Sequence, residues 1–160
     1  RDLSSFGADS FDFALASCTV IDAVSDEDRL QTLDQVRRRL RPHGLLMFSS
    51  HNRRYRHALS GPRLARSRNP VTQFRHLQQY VRSMLNHARV RRQRREYADY
   101  ALLNDIGHDY AALHYYVDRD IQVAQLERAG FQVCDVFDTA GGVLARYGDD
   151  SGSPCLLYVA

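Results

Sequence analysis

An α/β fold is predicted by three features of residues 10–52: an apolar run of strand length, an amphipathic helix, and a short second apolar run after a Pro-x-Gly stop. In the first run Phe11, Phe13 and Leu15 stand among small residues with Asp12 set between them. Over residues 27–40 the apolar positions Leu30, Leu33, Val36 and Leu40 recur at intervals of 3, 3 and 4, the stripe of an amphipathic helix. Ser25 with Asp28 three residues on resembles a capping box, and the acids stand at the positive end of the helix dipole. Arg37, Arg38, Arg39 and Arg41 crowd the last turn, where cations suit the dipole, before Pro42 and Gly44 end the helix. Residues 45–48 are too few for a helix and fit a buried parallel strand. Two parallel strands joined by a helix require a crossover, which is right-handed.

The rest of the chain continues in the same style. Phe74, Leu77, Val81, Met84 or Leu85, and Ala88 recur at helical spacing, with Arg75, Arg82 and Arg89 on another face. Pro62, Asn69 and Pro70 mark a loop before that helix. A further helix opens at residues 118–120, carries Ile121, Val123 or Ala124, Leu126 and Ala129, and is capped by Gly130. Residues 131–137 read as a strand, residues 138–154 as a long turn, and residues 155–160 as a last strand.

Composition is that of a globular domain: 44% hydrophobic and 26% charged, well away from disorder. No apolar run approaches the ~18–20 residues of a membrane helix, so no membrane partner is expected. Cys18, Cys134 and Cys155 are odd in number and lack metal-type spacing, which points to a reducing, cytoplasmic setting. All 22 basic residues are Arg, which reads first as coding bias and only second as function.

Several of these stretches resemble the second half of a class I S-adenosylmethionine-dependent methyltransferase. Asp2-Leu3, Phe6 and Ser10-Phe11-Asp12 match the approach to that family's fourth strand. The run from Gln35 through Leu40 to Arg41-Pro42-His43-Gly44 matches the helix end and stop before the fifth, with Gln35 and His43 where Glu and Gly are usual. His114-Tyr115-Tyr116-Val117 and Gln125-Leu126-Glu127-Arg128-Ala129-Gly130-Phe131 resemble the helix and turn before the sixth strand, and residues 155–160 resemble the seventh. The fold class implied is a Rossmann-like class I methyltransferase fold, incomplete, holding strands 4 to 7 with a helical basic insertion after strand 5. Residues 1–160 are then one partial domain, with residues 53–107 as a helical cap insertion. No Gly-x-Gly occurs in the chain. The family's glycine-rich cofactor loop and about three further strands are therefore expected in a longer parent chain.

The resemblance implies methyl transfer from S-adenosylmethionine to a small-molecule acceptor by in-line displacement. It places Ser17, Cys18 and Thr19, at the end of the fourth strand, against the cofactor, and Asp2 and Leu3 near its adenine. Without the resemblance, Ser17 and Thr19 read equally well as satisfying backbone groups in a strand-to-helix loop. The loop after that strand carries no Asn/Asp-Pro-Pro-aromatic pattern and no Pro-Cys nucleophile, which tilts the acceptor toward an oxygen, a simple amine or a carbon.

Candidate catalytic residues are His51 and His114. His51, with a ring that ordinarily titrates near ~6.5, suits a general base; the plainer reading is a loop cap. Asn52, Tyr55, Tyr115 and Tyr116 are the candidate substrate-binding residues, the tyrosines reading also as core and pocket wall. His108, Asp109 and His114 invite a base-plus-orienter reading, and no third ligand stands at a spacing that predicts a metal site.

Between Arg53 and Arg95 there are 13 Arg and no Asp or Glu. The block reads as a solvated helix or as a basic cap over an anionic substrate, a small one before a nucleic acid. The alternative function is a non-catalytic module that binds an anionic partner such as RNA through this segment.

Overall fold

The computed structural model describes residues 3–55, 57–146 and 148–160. Strand β1 (Phe11–Ala16) is followed by a 3-10 turn at Val20–Ala23, helix α1 (Asp26–Arg39) and the long strand β2 (Leu40–Asn52). Ser25 caps α1 as its sequence predicts, its Oγ accepting from the Asp28 amide at 3.1 Å. The Pro-x-Gly stop becomes a bulge. Phe11 faces Leu40 but Phe13 faces Leu45, so three extra residues of β2 loop out around His43, whose φ of 66° is left-handed.

Next come α2 (Pro70–Val90), β3 (Arg95–Glu96), β4 (Tyr100–Leu103), β5 (His114–Val117), α3 (Arg119–Arg128), β6 (Asp135–Phe137) and β7 (Cys155–Val159). The sheet order is β3-β4-β5-β2-β7-β6, with β1 also on β2. β1 and β5 run parallel to β2, while β7 runs antiparallel to it. The antiparallel last strand is the arrangement the resemblance implies. Two details depart from expectation. His114–Val117 is a fully buried strand, not part of a helix, because it pairs with β4 on one side and with the end of β2 on the other. Residues 53–107 are likewise not wholly helical: their last third carries the β3–β4 hairpin, which extends the sheet.

The core lies between the sheet and helices α1 and α3. Leu33, Leu40, Leu46, Phe48, Leu126, Leu156 and Tyr158 are each at most 2% exposed, and burying such side chains contributes about 1.5–3 kcal/mol each. β1 differs. Within the described residues it pairs only with β2, and Phe13 and Leu15 remain 51% and 59% exposed. No described helix is long and apolar enough to cross a membrane.

Candidate active site

Side chains alternate across a strand, and that rule sorts the residues at the end of β2 and on β5. His51, His114 and Tyr116 fall on one face, while Ser50, Asn52 and Tyr115 fall on the other. The first face looks into a cavity of about 540 Å³ between the sheet and α2.

His51 is held from behind. The turn after β1 carries two consecutive left-handed residues, Cys18 (φ 56°) and Thr19 (φ 52°), which swing the chain into the 3-10 turn and deliver Asp22 to the end of β2. Asp22 is 1% exposed and accepts from the His51 amide at 2.7 Å, from its Nδ1 at 2.8 Å and from the Ser50 hydroxyl at 2.9 Å. A buried carboxylate needs a counter-charge. Arg29 of α1, fully buried, supplies it at 3.3 Å. Arg29 also donates to Gln122 and Gln125 of α3 and lies 4.5 Å over the Tyr115 ring. Asp22 thus holds the Nδ1 edge of the His51 ring, and the Nε2 edge is turned toward Asp105 at the cavity.

Asp105, just past β4, faces that Nε2 edge. Its Oδ2 is 3.7 Å from His51 Nε2, beyond hydrogen-bond reach. Its Oδ1 lies 3.2 Å from His114 Nδ1, and its Oδ2 accepts from the Tyr116 hydroxyl. Burial alone would raise the Asp105 carboxyl, but the hydrogen bonds from His114 and Tyr116 outweigh it and hold the group below its usual range. The same Asp105 bond raises His114, and burial pushes the Cys155 thiol, at the cavity edge, up to about 11. The His51 and His114 rings stack nearly parallel, 5.1 Å apart.

The roof is α2, and it is built inside out. Its cavity-facing positions include His76, Gln79, Tyr80 and Ser83, whereas Phe74, Val81 and Leu85 point outward at 60%, 49% and 68% exposure. Gln79 donates to the Asp109 carboxylate at 3.0 Å, Arg82 pairs with it, and Asn86 donates to the Asp109 carbonyl at 3.0 Å. These bonds pin the turn at Gly107–Tyr110, where His108, Asp109 and Tyr110 are all left-handed (φ 51°, 53° and 64°). Three such residues in a row are costly for non-glycine side chains and persist only where the surroundings impose them.

Of the residues singled out from sequence, His51, His114, Tyr55 and Tyr116 gather at or around the cavity. Asn52 and Tyr115 do not. Asn52, 1% exposed, donates to the carbonyls of Asp150 and Ser153 and ties β2 to the last turn. Tyr115, fully buried, donates to Asp26 at 2.7 Å. Asp109 is the partner of α2, and His114 pairs instead with Asp105. Ser17, Cys18 and Thr19 form the turn at the C-terminal end of β1, with Ser17 and Cys18 exposed. Leu3 is at the opposite end of that strand, bonded to Gln35 and Arg39 of α1. Asp2 lies outside the described residues. Asp22 and Asp105 were not anticipated. The one sequence signal for Asp22 is a lone carboxylate among Val20, Ile21, Ala23 and Val24.

No protein-family model matches the chain, and no curated protein does. Solved structures do. A S-adenosylmethionine-dependent methyltransferase from Mesorhizobium loti matches with TM-score 0.57 at 17% identity, over 96% of this chain and 62% of that one. The methyltransferase CcbJ from Streptomyces caelestis matches at 0.54 and 11% identity, over 99% and 59%. The 1,6-didemethyltoxoflavin-N1-methyltransferase of Burkholderia thailandensis, solved with its substrate and S-adenosylhomocysteine, matches at 0.51 and 14% identity, over 96% and 44%. The chain therefore has the class I S-adenosylmethionine-dependent methyltransferase fold, and spans about half the length of the structures it matches.

Proposed function

We propose that this chain is the acceptor-binding portion of an S-adenosylmethionine-dependent methyltransferase, and that the cavity beneath α2 seats a small-molecule acceptor. The observation that carries the reading is the cluster of His51, Asp105 and His114, of which His51 and Asp105 line the cavity at the C-terminal end of β2. Ligands of open α/β sheets lie outside that end of the strands, and about 540 Å³ suits a small molecule. Tyr55, Tyr80, Tyr110 and Tyr116 give the cavity aromatic walls, and Arg63 adds a cation at its lining, compatible with an anionic acceptor.

Bound S-adenosylmethionine would supply an electrophilic methyl group. The left-handed turn at Cys18 and Thr19, with Ser17 and Cys18 exposed, supports placing part of its site at the end of β1. Thr19 is fixed there by its amide bond to Ser49 Oγ at 2.8 Å. Leu3 is proposed for no cofactor contact, since it is held at the far end of β1.

Transfer would form one bond from the acceptor's nucleophilic atom to the methyl carbon as the carbon–sulfur bond breaks, with the acceptor's proton taken up by a base such as His51 or by water. Holding the acceptor in line supplies much of the rate. His51 and Asp105 line the cavity floor where that atom would lie, with His114 behind Asp105 and with Asp22 and Arg29 keeping the His51 ring fixed. Tyr55 and Tyr116 form the wall beside it.

The binding-module reading is less well supported. Arg53, Arg54 and Arg82 of the insertion are drawn to Glu96, Asp120 and Asp109, and Arg94 and Arg95 bond to Asn104 and to backbone carbonyls. A phosphate-binding platform would leave such groups uncommitted. The test is to incubate the parent polypeptide with methyl-labelled S-adenosylmethionine and a panel of phenols, alcohols and amines. Label should pass to a small molecule, and His51→Ala should lower the rate by at least ~100-fold. No transfer to any acceptor, or a His51→Ala protein as active as its parent, contradicts the reading.

A further inference from the structure

We infer that His51, Asp105 and His114 form a binding site for a divalent transition-metal ion that holds the acceptor's oxygen at the cavity floor. Ion binding stands on geometry alone; the role toward the acceptor rests on the methyltransferase reading above.

The ligand atoms of these three residues all lie within 4.8 Å of one another. Ligand distances of ~2.0–2.2 Å place donors roughly 3–3.5 Å apart around an ion. The His114–Asp105 separation of 3.2 Å already meets that spacing, and the His51–Asp105 separation of 3.7 Å comes close. That second distance is itself informative. Asp22 holds the Nδ1 edge of His51, so the Nε2 edge faces the Asp105 carboxylate at a separation that an ion between them would bridge. The surroundings match those of a metal ligand set. A carboxylate behind one imidazole and a hydroxyl on the ligating carboxylate fix orientation, and Asp22 and Tyr116 occupy those two positions. Two imidazoles and one carboxylate favour Zn²⁺, Co²⁺ or Fe²⁺ over Mg²⁺ and Ca²⁺, which prefer oxygen. Three protein ligands leave positions open for a substrate oxygen, and His51 and Asp105 both line the cavity from which it would come.

On a bound ion the acceptor's O–H bond breaks, its proton passes to solvent, and the oxygen keeps the electron pair. That oxyanion then takes the methyl group while the sulfonium becomes a neutral thioether. No oxidant or reductant is needed.

The full chain, stripped with a chelator, is titrated with Co²⁺ and followed by visible absorption and equilibrium dialysis. One Co²⁺ per chain is expected, with hyperfine-shifted ring protons from two histidines in the wild-type NMR spectrum. Asp105→Asn and His114→Gln should each weaken binding at least ~100-fold and Asp22→Asn by ~10–100-fold, with Cys155→Ser unchanged. Absence of stoichiometric binding, or histidine signals that do not shift in the wild type, overturns the site whatever the variants do. Titration with S-adenosylhomocysteine in parallel separates the two claims: cation binding without cofactor binding in the parent chain retires the methyltransferase reading alone, and the reverse retires the metal alone.

Discussion

Helices α1 and α2 teach opposite lessons. α1 buries Leu33 at 2% exposure and leaves its polar groups outside; the one charged side chain that it buries completely, Arg29, belongs to the network behind His51. α2 does the reverse, turning His76, Tyr80 and Ser83 inward over the cavity while Phe74, Val81 and Leu85 stay exposed. Helices keep polar residues on the inside only where those residues meet something polar. The sheet half thus buries its apolar side chains, whereas α2 turns polar ones toward a cavity.

The largest effect should come from the point where the two halves meet. Arg29→Met strands the Asp22 carboxylate in the interior and should cost about 3–5 kcal/mol, read as a lowered midpoint in urea. Phe48→Ala, in the core of the sheet half, should cost a similar 3–5 kcal/mol. A cost below ~1 kcal/mol for both would erase the distinction between the halves. Ser25→Ala, which removes the α1 cap, should lose about 1 kcal/mol, and Asn69→Ala at the start of α2 about the same; Asn69 Oδ1 accepts from the Val71 amide at 2.9 Å. Leu85→Gln, on the exposed face of α2, should change stability by no more than ~0.5 kcal/mol. A large destabilisation there would mean that the outward face is packed against something, and that the inversion is only apparent.

Much of the sheet half was legible in the sequence because its signals are local. The 3-3-4 spacing and Ser25 predict α1 to within a residue at each end, and residues 45–48 lie inside β2. The seventh strand falls where its apolar run stands. Strand β5 was grouped with a helix, although Tyr115, Tyr116 and Val117 are β-formers, because four residues are too few to show a period. The site was half legible. His51, at a strand end, and His114 were found as chemistry-bearing residues, but the carboxylates that face them lie at positions no spacing rule connects: Asp22 reaches His51 across 29 residues, and Asp105 lies just past the hairpin that follows α2. Side-chain alternation would have separated Asn52 from His51 and Tyr115 from Tyr116, had the strand assignment of residues 114–117 been in place.

The central claim is that the end of β1 and the end of β2 face one shared ligand space, with cofactor on one side and acceptor on the other. The most direct measurement is an S-adenosylhomocysteine titration of the protein followed by amide chemical shifts. Shifts concentrated at Ser17, Cys18, Thr19 and His51 are predicted. Absence of binding, or shifts confined to the arginine-rich residues 53–95, would contradict the account.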